Sequence, residues 1–142
     1  MDRLSPERRG WLMSRVRSKD TSPERRVRQL LFAMGFRYRL HDKRLPGRPD
    51  IVFHGRAKVI FVNGCFWHGH EGCRYGRLPK TRVDFWAAKI LRNRERDRQN
   101  TEKLRAAGWS ILTVWQCELK NIEDLANKLY EFLEETHAPN RD

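Results

Sequence analysis

The sequence predicts one α/β domain, spanning residues 1–142, with a mixed central sheet and helices packed around it. Segments with helical periodicity alternate with short apolar runs, which is typical of a domain built from layers of helices and strands. The chain has 142 residues, enough for a single domain with a modest core. It contains no apolar run near the ~20 residues that a transmembrane helix requires.

Two helices are predicted near the N-terminus. A serine that can cap a helix, followed by a proline suited to the first turn, occurs at Ser5-Pro6 and again at Ser22-Pro23. The first helix is expected to end near Val16. The second is expected to end at Gly35 and to carry an apolar face, formed by Val27, Leu30, Leu31 and Met34.

The predicted strands lie mainly in the middle of the chain. Residues 36–41 (FRYRLH) alternate as a strand does, and residues 50–64 predict two strands joined by a tight turn at His54-Gly55. The apolar run KVIFV is typical of a central strand covered on both faces. A last strand is predicted at 109–117, and the pattern leaves the order and direction of the strands open.

An irregular loop and two further helices complete the prediction. The loop covers residues 64–80. A long charged helix is expected at about 83–107, with Gly108 as its stop, and a last helix at about 122–135. The acidic exterior of the last helix places it away from any polyanion, and residues 136–142 are expected to form a flexible tail.

The net charge of +12 is unevenly distributed. Residues 1–117 contain 27 Lys and Arg against 11 Asp and Glu, whereas residues 118–142 contain 3 against 7. A field of this sign attracts polyanions and releases their counterions, so nucleic acid is the predicted partner. A merely well-solvated surface does not require such an excess. Membrane binding is not expected, because no basic stretch is also a strongly apolar amphipathic helix.

The N-terminus and the cysteine content predict a cytoplasmic protein. The opening residues MDRLSPERRG lack the apolar centre of a signal peptide. An odd number of cysteines, three, argues against a disulfide framework. Reduced thiols and metal-bound thiolates are normal in the cytoplasm.

The loop sequence GCFWHGHEGC predicts a zinc site. Cys65, His70 and Cys73 have the spacing Cys-x4-His-x2-Cys, and zinc prefers thiolate and imidazole ligands. Cys117, the remaining cysteine, lies at the end of a predicted strand and would complete a closed tetrahedral site. Two alternatives remain: His68 could replace His70, and Cys117 could be a small buried apolar residue.

Asp50 is the first candidate for a catalytic carboxylate. In LPGRPDIVF it stands at the entry to a strand, after a turn stiffened by Pro46 and Pro49. A Pro-Asp start beside a neighbouring strand resembles the PD-(D/E)xK nuclease core, in which carboxylates at adjoining strand ends hold Mg²⁺. However, FVNGC lacks the acidic residue and the lysine of that motif. An aspartate at a strand start is also commonly a turn residue.

Several segments taken together resemble one family, the very short patch repair (Vsr) DNA mismatch endonucleases. The resemblance is carried by DTSPERR, LPGRPDIVF, VIFVNGCFWHGHEGC, TRVDFWAAKI-x-x-N-x-x-RD and GWSILTVWQC, which are collinear over about residues 10–120. It implies a restriction-endonuclease-like fold with a structural zinc. It also implies a monomeric enzyme that nicks one strand next to the thymine of a T:G mismatch. The family usually works alongside a methyltransferase and mismatch-repair proteins.

The resemblance also implies roles for single residues. Asp50 matches the family's Mg²⁺-binding aspartate, and Val62, often Thr in the family, matches the position whose main-chain carbonyl binds that ion. His68 matches the general base, and Glu24 matches a glutamate associated with the active site. The zinc set matches too, with one extra residue between the last two loop ligands. Asn63 stands where some members have a further histidine, which leaves that role unassigned.

The chemistry of hydrolysis supports His68, because an imidazole that is neutral near pH 7 can accept a proton from water. The alternative is an ordinary surface histidine of the loop.

Large apolar residues predict how a mismatch would be recognised. Phe66 and Trp67 are consecutive outside regular structure, so both can point outward, and Trp86 begins the long helix. Rings inserted between base steps unstack and bend the duplex, and a mismatch is easier to open than a matched pair. In the Vsr family, aromatic residues at these positions intercalate, and Met13 matches a methionine that enters from the other groove. Core packing is the alternative for Trp86.

Asn93 and Arg94 are further DNA-binding candidates, because they lie one helical turn and more beyond Trp86; as residues of a charged helix they could equally be solvated. The leading hypothesis is a Mg²⁺-dependent, zinc-stabilised endonuclease. One rival is a zinc module that binds DNA without cleaving it, which the missing acidic-x-Lys segment favours. The other is a nuclease of the same fold with a different DNA target.

Overall fold

The structure is a computed structural model that describes residues 22–135. The predictions made for the helix at residues 5–16, for the basic DNA-contacting segment 1–20 with Met13, and for the tail at 136–142 lie outside the described residues.

The described part of the chain is a mixed four-stranded sheet with three helices, as the sequence predicted. The helices are α1 (Pro23–Ala33), α2 (Val83–Ala106) and α3 (Ile122–Glu134), and the strands are β1 (Arg39–Leu40), β2 (Ile51–Phe53), β3 (Lys58–Asn63) and β4 (Ser110–Trp115). The strand order is β1-β2-β3-β4. The β1–β2 and β2–β3 pairs are antiparallel and the β3–β4 pair is parallel.

The sheet separates two apolar clusters. Successive strand residues point to opposite faces, so Ile51 and Phe53 contribute to one cluster and Val52 to the other. Helices α1 and α3 cover the first face, and α2 covers the second through Leu104. The domain therefore has three layers, and β3 is the central strand that its apolar run predicted.

Helix α1 begins and ends where the sequence predicted. The Ser22 hydroxyl accepts a hydrogen bond from the Arg25 N–H at 3.3 Å, and Pro23 occupies the first turn. Gly35 follows the helix with φ +98°, a conformation that glycine adopts without strain. Of the predicted apolar face, Val27, Leu30 and Leu31 are fully buried and Met34 is partly buried.

Two predicted boundaries were wrong. The strand expected over 36–41 pairs only at Arg39 and Leu40, because the Phe36 and Tyr38 rings turn into the core against Phe53 and His41 takes a positive φ of 48°. The last strand ends at residue 115, so Cys117 lies in the 3-10 turn Gln116–Lys120 and not in the strand. That turn carries its thiol toward the loop that follows β3. No helix in the described range 22–135 is both long and apolar enough to cross a bilayer.

Candidate active site and metal centres

A cleft of about 190 Å³ opens where β3 ends and the loop 64–82 begins. Asp50, Asn63 and His68, all singled out from the sequence, line the same cleft. Asp97 of α2 lines it from the other side of the loop. Residues at the start of β2, at the end of β3, in the loop and in the middle of α2 therefore meet in this cleft.

Asp50 is held at the start of β2 by the backbone of the neighbouring strand. Its Oδ2 accepts a hydrogen bond from the Val62 N–H at 2.7 Å. The N–H and C=O of one strand residue point the same way, so the Val62 carbonyl faces the Asp50 side of β3. Burial raises the pKa of Asp50, and the nearby Glu24 carboxylate adds to the rise, while the Val62 hydrogen bond opposes it.

Glu24 reaches this carboxylate from α1, as the family resemblance implied, together with an imidazole that the sequence analysis did not select. His41 Nε2 lies 2.5 Å from Glu24 Oε2 and 3.9 Å from Asp50 Oδ1. One ligand atom from each of the three residues lies within 4.8 Å of the others. Two carboxylates and an imidazole in this arrangement can hold a divalent cation.

His68 is oriented by a carboxylate from the long helix. Its Nδ1 lies 2.5 Å from Asp97 Oδ2, and both side chains are partly exposed. A carboxylate accepts a hydrogen bond, so the Nδ1 that faces it carries a proton, and in the neutral imidazole Nε2 then keeps its lone pair. An imidazole in that tautomer can take a proton at Nε2.

Gly69 makes the position of His68 possible. It has φ +61°, and a Cβ at this residue would lie 2.6 Å from Cγ2 of Ile90 and 2.9 Å from Cδ of Arg94. The backbone conformation disfavours a side chain, and the space does not admit one. The loop can therefore lie directly against α2.

The three thiols converge with His70. Ligand atoms of Cys65, His70, Cys73 and Cys117 lie within 4.8 Å of one another, and Cys117 Sγ is 3.6 Å from His70 Nδ1. His68 is not among them. Burial, together with the neighbouring thiols of Cys65 and Cys73, raises the pKa of Cys117 to about 12. A cation that stabilises thiolates suits this donor set, and Zn²⁺ prefers it.

An aromatic residue packs behind the imidazole of this cluster. The rings of His70 and Trp115 stack with centroids 4.1 Å apart and an interplanar angle of 4°. Trp115 is the last residue of β4, so the sheet fixes the ring plane of His70. The loop is close-packed here as well, because a Cβ on Gly76 would lie 2.5 Å from the His70 carbonyl.

The aromatic residues form one surface cluster. Phe66, Trp67 and Trp86 contact one another with ring centroids 5.1–5.7 Å apart, and Phe85 adds a contact to Trp86 at 5.1 Å. Trp67 is 49% exposed and Phe85 is 45% exposed. Phe66 and Trp86 are only partly buried, so neither is a core residue. We call Phe66, Trp67, Phe85 and Trp86 the aromatic cluster.

Asn93 and Arg94, predicted as DNA contacts, bind the loop. Asn93 Nδ2 donates to the Trp67 carbonyl at 2.9 Å, and Arg94 pairs with Glu71 at 2.8 Å. They are therefore more than solvated helix residues. Their role in DNA binding stays a prediction.

Two residues of the site were missed by the sequence analysis. Asp97 entered only as a letter in the segment N-x-x-RD, and His41 only as the end of a strand. A signal for His41 existed, because antiparallel pairing of β1 with β2 places residue 41 beside Asp50, and its N–H donates to the Asp50 carbonyl at 3.2 Å. No comparable sequence signal existed for Asp97.

The sequence of this chain is similar to those of known DNA endonucleases. The family described as "DNA mismatch endonuclease Vsr" matches residues 1–74. The type II nicking enzyme V.XorIIP of Xanthomonas oryzae pv. oryzae is 56% identical over 133 residues, which cover 94% of this chain and 97% of the relative. The DNA mismatch endonuclease Vsr of Escherichia coli K12 is 44% identical over 124 residues, covering 87% and 79%.

A further relative, the type II nicking enzyme V.NmeAIP of Neisseria meningitidis serogroup A, is 47% identical over 120 residues, covering 84% of this chain and 85% of the relative. The chain belongs to the Vsr family of DNA mismatch endonucleases. The resemblance found from the motifs is thereby confirmed. The rival prediction, a zinc module that binds DNA without cleaving it, does not match these relatives, which are named as endonucleases and nicking enzymes.

Proposed function

We propose that this endonuclease nicks one strand of duplex DNA next to the thymine of a T:G mismatch and so initiates very short patch repair. The observation that carries the proposal is the cleft that joins Asp50 to the His68–Asp97 pair beside the aromatic cluster. The core is proposed to be restriction-endonuclease-like, with the three-layer arrangement as support. We expect a monomer that acts in the bacterial cytoplasm alongside mismatch-repair proteins.

Asp50 and Glu24, with the Val62 carbonyl, are proposed to hold a catalytic Mg²⁺. These are hard oxygen donors, which is the chemistry that Mg²⁺ requires. Oδ1 of Asp50 lies 3.9 Å from His41 Nε2, whereas Oδ2 accepts the Val62 N–H. The bound ion would neutralise phosphate charge and lower the pKa of a coordinated water.

His68 is proposed as the general base. Asp97 holds its Nδ1 proton, so Nε2 is free to accept a proton from the attacking water. The positive charge that then develops on the imidazole is stabilised by the Asp97 carboxylate. Asp97 is in this scheme a positioning residue, as it acts through His68 and not on the phosphate.

Zn²⁺ is proposed to bind the four-residue cluster of Cys65, His70, Cys73 and Cys117 as a structural ion. The loop between β3 and α2 contains only one short 3-10 turn, Arg74–Gly76, so it has little regular hydrogen bonding of its own. A closed tetrahedral site would fix this loop and with it His68, two residues before His70.

The aromatic cluster is proposed to open the mismatch from one groove. Exposed rings on a positively charged surface can stack on bases, and unstacking costs least where pairing is already imperfect. Met13 is proposed to enter from the opposite groove, and Asn93 and Arg94 to contact the DNA beside the cluster. The charge of residues 1–117 supports binding along the phosphate backbone.

A different DNA target on the same catalytic scheme is the second candidate. Asn63, which lines the cleft at a position where some family members have histidine, is the observation that favours it. The target would then be a duplex with another mismatch or sequence context.

Strand-specific nicking tests the proposal. Duplexes that carry T:G with varied neighbours, other mismatches or only matched pairs are incubated with the full chain, with and without Mg²⁺. We expect one nick next to the T of T:G, dependent on Mg²⁺ and abolished by Asp50→Asn and His68→Ala. Equal nicking of matched duplex would favour the second candidate, and nicking by Asp50→Asn would contradict the proposed site.

A further inference from the structure

The His41 imidazole occupies a place among the proposed Mg²⁺ ligands that neither the resemblance nor the relatives explain. Its Nε2 is 2.5 Å from Glu24 Oε2 and 3.9 Å from Asp50 Oδ1. Without a cation, the Nε2 that faces the Glu24 carboxylate carries the imidazole proton, and a cation that binds there would replace that proton. The three side chains come from different parts of the chain: α1, the residue after β1 and the residue before β2. The fold itself therefore brings them together.

The backbone holds His41 in this position from two sides. Its N–H donates to the Asp50 carbonyl at 3.2 Å, one residue beyond the last β1–β2 pair. Its φ of 48° then turns the chain away from the strand. The backbone therefore fixes the position of the His41 imidazole at this site.

We propose that His41 supplies a nitrogen ligand to the cation held by Asp50 and Glu24, and that the site therefore prefers Mn²⁺ to Mg²⁺. The inference rests on the proposed function, because it concerns the same metal site. Carboxylate and carbonyl oxygens suit both ions, but imidazole suits transition metals far better than Mg²⁺. A mixed N/O donor set thus shifts the preference toward Mn²⁺.

The competing interpretation is that His41 only pairs with Glu24. His54 provides a matched control, because its Nε2 lies 3.0 Å from Asp42 Oδ2 and its exposure, 44%, equals that of His41, 45%, within a percentage point. Among residues 22–135, His54 belongs to no cluster of three potential metal ligands, in contrast to His41. A simple histidine–carboxylate pair is therefore represented in the same molecule.

The test is Mn²⁺ binding by the zinc-loaded full chain without DNA, followed by electron paramagnetic resonance. Pulsed spectra of the bound Mn²⁺ are expected to contain the coupling of an imidazole nitrogen in the wild type, in His54→Gln and in His68→Ala. The coupling is expected to be absent in His41→Gln. Mn²⁺ affinity should fall roughly tenfold or more in His41→Gln and remain unchanged in His54→Gln, whereas Mg²⁺ affinity from competition should change less.

Three outcomes would overturn the proposal: no nitrogen coupling in the wild type, coupling that persists in His41→Gln, or coupling that disappears in His68→Ala. The wild-type spectrum decides the first point even if a variant does not fold. The proposed function fails separately, through nicking that survives Asp50→Asn. Mg²⁺-dependent nicking with unchanged Mn²⁺ binding in His41→Gln would sink the present inference alone.

Discussion

Nδ1 of His68 and Oδ2 of Asp97 lie 2.5 Å apart, although 29 residues separate them in the sequence. The histidine belongs to the loop that carries the thiols, and the aspartate belongs to the middle of α2. Their contact fixes both the tautomer and the orientation of the imidazole. Its consequence can be measured directly.

Asp97→Asn is expected to reduce single-turnover nicking about 100-fold or more, because general base catalysis contributes about 10²–10⁴-fold and requires the correct tautomer. The amide can offer its N–H to Nδ1 and so move the imidazole proton to Nε2. DNA affinity and zinc content should not change. Asp84→Asn, an exposed aspartate in the first turn of the same helix, is the control. Wild-type rates in Asp97→Asn would contradict the assignment.

Zinc binding is expected to depend on His70 and not on His68. His70→Ala should lose bound zinc, measured as metal per chain, and should lose nicking with it, because the loop that carries His68 is no longer fixed. His68→Ala should keep the zinc and lose nicking alone. Zinc retained in His70→Ala but lost in His68→Ala would reverse the ligand assignment.

The stacking of His70 on Trp115 provides a second readout of the same site. If Zn²⁺ binds as proposed, its removal by a chelator would free the imidazole, whose ring centroid lies 4.1 Å from that of the indole. The fluorescence of Trp115 should therefore change on chelation and recover when zinc is returned. Trp115→Phe keeps a ring for stacking but should lose most of that signal, which identifies its source.

The parts of the site that could be predicted are those made by neighbours in the sequence. Cys65, His70 and Cys73 share one loop, so spacing alone indicated a metal site. Asp50 was selected because a strand start fixes its surroundings locally. Asp97 was missed because its role depends on how the loop folds back over α2, and that packing requires Gly69 to lie against Ile90.

The boundaries that were wrong have the same explanation. Alternation in residues 36–41 predicts a strand, but tertiary packing of Phe36 and Tyr38 on Phe53 decides where pairing stops. The positive φ of His41 follows from that geometry and has no local sequence signal. Helices α1 and α2 were predicted closely, because their periodicity and the glycines that follow them, Gly35 and Gly108, are local features.

Recognition of the mismatch is expected to depend on the exposed ring of Trp67. Stacking of one base on an aromatic side chain is worth about 1–3 kcal/mol, so Trp67→Ala should weaken binding to T:G duplex by roughly 5- to 150-fold. Matched duplex should be affected less, because its bases are not opened. Phe32→Ala, which removes a ring that is 56% exposed on α1, is the control.

Titration of fluorescently labelled T:G and matched duplexes at one fixed salt concentration measures this loss of preference, because phosphate contacts make both affinities salt-dependent. A 2-aminopurine next to the mismatch reports unstacking independently of affinity. If Trp67→Ala kept both the preference and the 2-aminopurine signal, Trp67 would not take part in opening the mismatch.

The stability of the domain should depend on a buried lysine at the start of β3. Lys58 is 4% exposed, and its ammonium donates to the carbonyls of Phe132, Leu133 and Glu135 at the C-terminal end of α3. Lys58→Met removes this cap and leaves carbonyls without that donor, which should cost about 1–3 kcal/mol in the free energy of unfolding. Urea denaturation measures it.

The pH dependence of that loss has a defined sign. Burial lowers the pKa of Lys58 from its ordinary value of 10.5, against the attraction of Glu135. Just below pH 10.5 the unfolded chain therefore holds the proton more often than the folded one, so stability contributed by Lys58 rises with pH in that window. The difference in unfolding free energy between wild type and Lys58→Met should be larger there than at neutral pH. Lys103→Met, an exposed lysine in the last turn of α2, should show no such trend; a parallel trend would assign the effect to net charge.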